Sequence, residues 1–133
     1  MRGYFSIDQE QDGNIRDRLH SIGEGMIAFL SRPEMIQFER RIAAETEVEP
    51  AIGQAFLKAG PWRMKEAFST FLSHANSGGE LDVEDPLLAA EQFAALCKGM
   101  GDLEQRFGLD VSKKDRSRRI AGAVDVFLAA YKS

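Results

Sequence analysis

Gly78-Gly-Glu-Leu-Asp-Val-Glu-Asp-Pro-Leu-Leu-Ala-Ala-Glu-Gln-Phe93 joins a helix stop to a helix start. The glycine pair, with Asn76 and Ser77 before it, has the chemistry of a connector. Asp85-Pro86 opens a new helix: the Asp side chain accepts from free amides, and Pro sits where its missing N–H is harmless. At about 100° per residue, the helix that follows to Phe107 is apolar or small around most of its circumference. Ala89, Phe93, Leu96, Met100, Leu103 and Phe107 form one stripe, mostly large. Ala90, Ala94, Cys97 and Gly101 form a small-residue stripe beside it, and polarity is mostly confined to Glu91, Lys98, Asp102 and Gln105. The last helix repeats the habit, with Ile120, Val124, Phe127 and Tyr131 on one face and Ala123, Val126 and Ala130 next to it. One core needs one apolar face, and small side chains let helix axes approach closely. The two final helices therefore read as packing inward on their own chain and outward on a second copy, as a four-helix bundle across a two-fold axis. The expected interface is Ala90, Ala94, Cys97, Gly101, Ala123, Val126 and Ala130. The alternative is that the other helices cover both faces within one chain.

Upstream, Ile15, Leu19, Ile22, Met26, Phe29 and Leu30 fall on one helical face. Arg32-Pro33 ends that helix and opens the next, whose stripe is Met35, Phe38 and Ile42. Glu45-Thr-Glu-Val-Glu49 reads as a charged break before Pro50. Phe56, Leu57, Met64, Ala67, Phe68, Phe71 and Ala75 stay in phase across Gly60-Pro61, so residues 50–77 read as one long helix kinked at Pro61, with two separate helices as the other option. Ser112-Lys-Lys-Asp115 is a capping-box start. Only Leu81-Asp-Val83 alternates in the manner of a strand, and no internal repeat is visible. The expected class is all-α with five to six helices, a lead-in over residues 1–14 and one domain over 15–133.

At 133 residues the chain is long enough to bury a real core in one domain. A net charge of −4 argues against a whole-domain grip on phosphate backbones. The single cysteine, Cys97, permits no intrachain disulfide, which fits a reducing cytoplasm, and no apolar run is long enough to span a membrane.

Arg41-Ile-Ala-Ala-Glu45 followed by Pro50, Phe56-Leu-Lys-Ala-Gly-Pro61, and Gly79-Glu-Leu-Asp-Val-Glu-Asp-Pro86 running into Leu-Leu-Ala-Ala-Glu-Gln-Phe93 and Gly99 together resemble the C-terminal regulatory domain of the tetracycline-repressor (TetR/AcrR) family, in its AefR-like branch. The resemblance spans about residues 15–131 and rests on the ordered set rather than on any one piece. It implies an all-helical ligand-sensing and dimerising domain, its last two helices forming the dimer bundle and a mainly apolar effector cavity lying among the earlier ones. Family members normally carry an N-terminal helix-turn-helix module. Only some fourteen residues precede Ile15 here, so DNA contact is expected only through a module absent from this chain.

The other motifs favour bland readings. Gly23-Glu-Gly25-Met-Ile-Ala28 matches a dinucleotide fingerprint, but in the middle of a helix, where close helix packing is the better account. His20, His74 and Cys97 lack metal-ligand spacing. The acids Glu45-Glu47-Glu49 and Asp82-Glu84-Asp85 flank helix starts, where negative charge is favoured. The basic run Lys113–Arg119 is interrupted by Asp115 and reads as a solvated face. No catalytic constellation is visible, and neither enzyme activity nor a cofactor is expected.

Nine Phe and five Met supply large, adaptable apolar side chains. Met26, Phe29, Phe38, Ile42, Phe56, Met64, Phe68, Phe93 and Met100 lie on core-facing stripes and are the candidate effector contacts, with Trp62 as a gate or a surface residue. The expected function is a homodimeric regulatory domain that accepts a largely apolar small molecule. The alternative is a helical dimerisation protein with a filled core and no ligand, a truncated regulator acting through heterodimers.

Overall fold

Six helices account for most of residues 6–133, the part of the chain described by the computed structural model. Helix α1, Ile15–Leu30, starts where the Asn14 side chain accepts from the Asp17 amide at 2.8 Å. Helix α2, Pro33–Val48, follows with Pro in its first turn. It continues through the acidic stretch that was expected to break it: Glu45 and Glu47 stay helical, and the chain leaves helical geometry only at Glu49.

The chain expected to form one kinked helix over 50–77 is two helices, α3 (Pro50–Ala59) and α4 (Pro61–Ser77). Gly60, at φ −128° and ψ −82°, separates them. Pro61 has no N–H to continue the first helix, and it suits the first position of the second. Helix α5 spans Pro86–Arg106 and α6 spans Lys113–Tyr131. Ser112 caps α6 by accepting from the Asp115 amide at 3.1 Å.

The core is built by α1, α4, α5 and α6. Leu19, Leu72, Phe93, Ile120, Val124 and Phe127 are almost wholly buried there. A ladder of rings crosses it: Phe71 and Phe68 at 5.7 Å, Phe68 and Phe93 at 5.2 Å, Phe93 and Phe127 at 5.2 Å, Phe127 and Tyr131 at 4.9 Å. Such contacts add to the area each ring buries. Helices α2 and α3 contribute no buried residue and form a hairpin outside this core.

The Gly78–Asp85 connector locks three helices together. Gly79 takes φ +78°, which lets the chain reverse after α4. Asn76 then clamps the returning strand-like segment, its Nδ2 donating to the Val83 carbonyl at 2.8 Å and its Oδ1 accepting from the Val83 amide at 2.9 Å. Leu81 and Val83 are buried. The Asp82 amide donates to the Tyr131 carbonyl at 2.8 Å, and Leu81 pairs with Lys132 as an isolated antiparallel bridge. The alternation at 81–83 thus becomes a single bridge that fastens the end of α6. Asp85 accepts from the Leu88 amide at 3.1 Å and starts α5. Of the lead-in expected over 1–14, residues 1–5 lie outside the described residues; Ile7 packs against the core and Gln9 Nε2 donates to the Ala67 carbonyl at 2.9 Å.

Candidate functional site

Helix α5 is not the uniform cylinder expected from its stripes. Gly99, at φ +47° and ψ −152°, interrupts it in a backbone region essentially restricted to glycine. Before the break, Ala89, Ala90, Phe93 and Cys97 are buried. Beyond it Gly101 faces inward, with Asp102 and Gln105 half-buried beside it. Met100, Leu103 and Phe107 are exposed by 59%, 41% and 82%.

This geometry corrects the expected interface. Ala90, Cys97, Gly101 and Ala123 are buried within the chain itself, and Ala94 packs against the same core. Two members of the small stripe meet neighbours within the chain: Gly101 lies under Arg119 of α6, and a methyl group on Gly23 of α1 would lie 3.0 Å from Ile120 Cγ2 and 3.2 Å from Cys97 Sγ. The glycine motif at 23–28 is therefore a packing site between helices. Val126 and Ala130 are exposed. Outward-facing apolar character on α5 comes instead from larger residues, Leu88, Met100 and Leu103. Between α5 and α6 lies an open groove of about 510 Å³ lined by Gln92, Ala95, Leu96, Val126, Ala130 and the Phe127 and Tyr131 rings.

The ten candidate effector contacts do not form one cluster. Met26, Phe68 and Phe93 are buried in the core, the last two ring against ring. Phe38 and Phe56 pair at 5.8 Å across the α2–α3 hairpin, with Ile42 half-buried on α2. Met64 is half-buried on α4, and Trp62 is exposed at the start of that helix. Phe29 is half-buried near the end of α1, under the Arg32 guanidinium at 5.3 Å. Met100 is turned outward on α5. None of the ten lines the α5–α6 groove, nor the void of about 10 Å³ between α1, α5 and α6, which has room for about one water.

Several polar side chains hold the seam where α1 and α2 meet the end of α5. Arg40 donates to the Gln105 carbonyl at 3.3 Å and to the Arg106 carbonyl, satisfying the last turn of α5. Ser31 donates to Gln105 Oε1 at 3.1 Å. Glu39 lies on the inward side of α2 with Met35, Ile42 and Thr46. Burial pushes its carboxyl above the usual range; Lys98 opposes that, Asp102 adds to it, and Arg106 opposes it. These pairings join residues more than fifty positions apart, so no local signal in the sequence announced them. His20 pairs with Glu24 at 3.3 Å, and among the described residues no three His, Cys, Asp or Glu side chains converge as metal ligands would. Among the described residues no helix is long and apolar enough to cross a membrane.

The sequence profile described as AefR-like transcriptional repressor, C-terminal domain, matches residues 17–133. The chain belongs to this family. It is a family of transcriptional regulators, not of enzymes. Among solved structures, a TetR-family transcriptional regulator from Mesorhizobium loti superposes with a TM-score of 0.87 at 24% identity, covering 94% of this chain and 62% of that one. The flavonoid-responsive regulator FrrA superposes with a TM-score of 0.81 at 24% identity, covering 89% of this chain and 61% of its own. A TetR-family regulator from Pseudomonas syringae pv. tomato gives 0.74 at 23% identity, with 94% and 63% covered. At these identities the likeness is one of fold: the AefR-like domain here is all-helical in the TetR manner. The chain spans about three-fifths of the length of each of these proteins. No curated protein matches it significantly.

Proposed function

We propose that this AefR-like domain is the effector-sensing and pairing part of a TetR-like transcriptional regulator, with DNA contact made by a separate helix-turn-helix module. The observation that carries the reading is the match to the AefR-like C-terminal domain over residues 17–133. Pairing is supported by the outer face of α5 and α6, where an apolar groove is flanked by exposed Leu88, Met100, Leu103 and Val126. In a four-helix bundle across a two-fold axis, each copy's groove would receive the other's ridge of side chains. The pairing residues are then Leu88, Gln92, Ala95, Leu96, Met100, Leu103, Val126 and Ala130, in place of the buried small stripe.

Effector binding is supported by the loose seating of the α2–α3 hairpin, which buries no residue of its own. The Phe38–Phe56 pair, Ile42 and Met64 lie on that side of the molecule, and a ligand entering there separates the hairpin from α4 and α5. Glu39 supplies a polar contact on an otherwise apolar wall, the mixture typical of small-molecule sites. A neighbour in fold is named as flavonoid-responsive, so aromatic polyphenols are the first class to test. Bound at 100 times its dissociation constant, a specific effector stabilises the fold by about 2.7 kcal/mol. A thermal-shift series over planar aromatic compounds reads this directly. Phe56→Ala should abolish the shift caused by an active compound, and a series with no response supports a domain that pairs without an effector.

A further inference from the structure

Three features of α5 belong together. Its apolar stripe is written for an unbroken helix: at about 100° per residue, Met100 and Phe107 fall in phase with the buried Ala89 and Phe93. Yet the helix is broken at Gly99, and both residues are turned into solvent. The small void beside Ile27 and Leu30 lies next to this break and is lined on α5 by Cys97, Lys98, Gly101, Asp102 and Gln105. Arg119 of α6 lies across the break. Its Cδ is 2.7 Å from the position a Gly99 Cβ would take, and its guanidinium covers Gly101 just as closely while pairing with Asp115 at 3.1 Å.

We infer that residues 99–107 are a two-position element hinged at Gly99, and that its second position continues α5 through Gly99 and brings Met100 and Phe107 onto the face that carries Ala89 and Phe93. A continuous helix takes the exposed Met100 and Phe107 side chains out of water. The broken position is held by the Arg119 side chain lying on a backbone that only glycine permits. Exchange between packed arrangements of this kind is a common form of molecular switch. The hinge stands on the α5 geometry alone. Its consequence rests on the proposed pairing: the broken position presents Met100 and Leu103 to a second copy, and the continuous position withdraws Met100.

The test is Gly99→Ala in the full chain, with Arg119→Ala as a second variant that adds no methyl group and removes the wedge. Backbone carbon shifts across residues 97–103 report helix or break, and amide exchange reports protection. The inference expects helical shifts through residue 99 in G99A, at least about tenfold slower exchange at Met100–Leu103, and a change in the same direction in R119A. Non-helical shifts at 99 in both variants overturn it. So does a G99A chain that loses its fold, because a second, continuous position has room for the methyl group. Sedimentation of the same samples separates the two readings. A wild-type chain that never pairs removes the pairing proposal while the shifts still decide the hinge, and a G99A chain with helical shifts should dimerise at least about tenfold more weakly.

Discussion

Burial pushes the Cys97 thiol from its ordinary value near 9 up to about 12, with the Glu24 carboxylate adding to the effect. A folded-state value raised in this way favours the neutral thiol in the native state. Its contribution to stability is fully present below about pH 9 and is lost as pH rises through about 12. Two outcomes are expected. At pH 8 the native chain should react with a thiol reagent at least about a hundredfold more slowly than the denatured chain. Denaturant midpoints of wild type should also fall more steeply between pH 9 and 11 than those of Cys97→Ala. Asn76 carries a different weight: its two hydrogen bonds to Val83 hold the connector that ties α4, α5 and the end of α6. Asn76→Ala leaves the Val83 amide and carbonyl without those partners and should cost about 1–3 kcal/mol in chemical denaturation. Neither effect could be anticipated from local sequence. The Asn76–Gly79 stretch announced a helix stop, but the partner seven residues on is a matter of chain reversal.

Among the elements, those starting with Pro or a capping side chain were the most legible. Asp85-Pro86 and Ser112-Lys-Lys-Asp115 start helices for the reasons their chemistry gives, and α1 keeps the boundaries its stripe suggested. The faces were harder. Gly101 and the neighbouring small residues looked like a surface for a second copy, but Arg119 and Val111 cover Gly101, and Ile120, Cys97 and Phe93 close on Gly23 of α1. Periodicity shows that a helix has two apolar faces. Which face turns inward depends on the neighbour's side chains, and the Gly99 break cannot be seen in an apolar stripe that runs through it undisturbed. Element by element, stability follows burial. Helices α2 and α3 bury no residue, so native-state amide exchange should find them opening well below the global unfolding free energy, with α1, α4 and the first half of α5 the most protected. Uniform protection across all six helices would contradict this and would remove the hairpin as the route for a ligand.

For the whole molecule, two layers divide the work. The four-helix core with its ring ladder is well filled: Phe93 touches both the Phe68 and Phe127 rings, and Phe93→Ala should cost about 3–5 kcal/mol. In the proposed function the hairpin is the sensing side, and the outer α5–α6 face, with exposed Leu88, Met100, Leu103 and Val126, is the pairing side. The prediction from sequence that the last two helices carry more apolar surface than one chain can bury rests now on Leu88, Met100, Leu103 and Val126 rather than on the buried small residues. The most direct test is the mass in solution by sedimentation equilibrium at about 10–100 μM, a range in which specific complexes of micromolar affinity form. Pairing through the outer α5–α6 face predicts twice the 14.8 kDa of one chain, falling to the single-chain mass in Ala95→Arg, at an exposed residue lining the groove, with helical content unchanged. A wild-type chain that remains at 14.8 kDa throughout, or an Ala95→Arg chain that still sediments as a dimer, would contradict it.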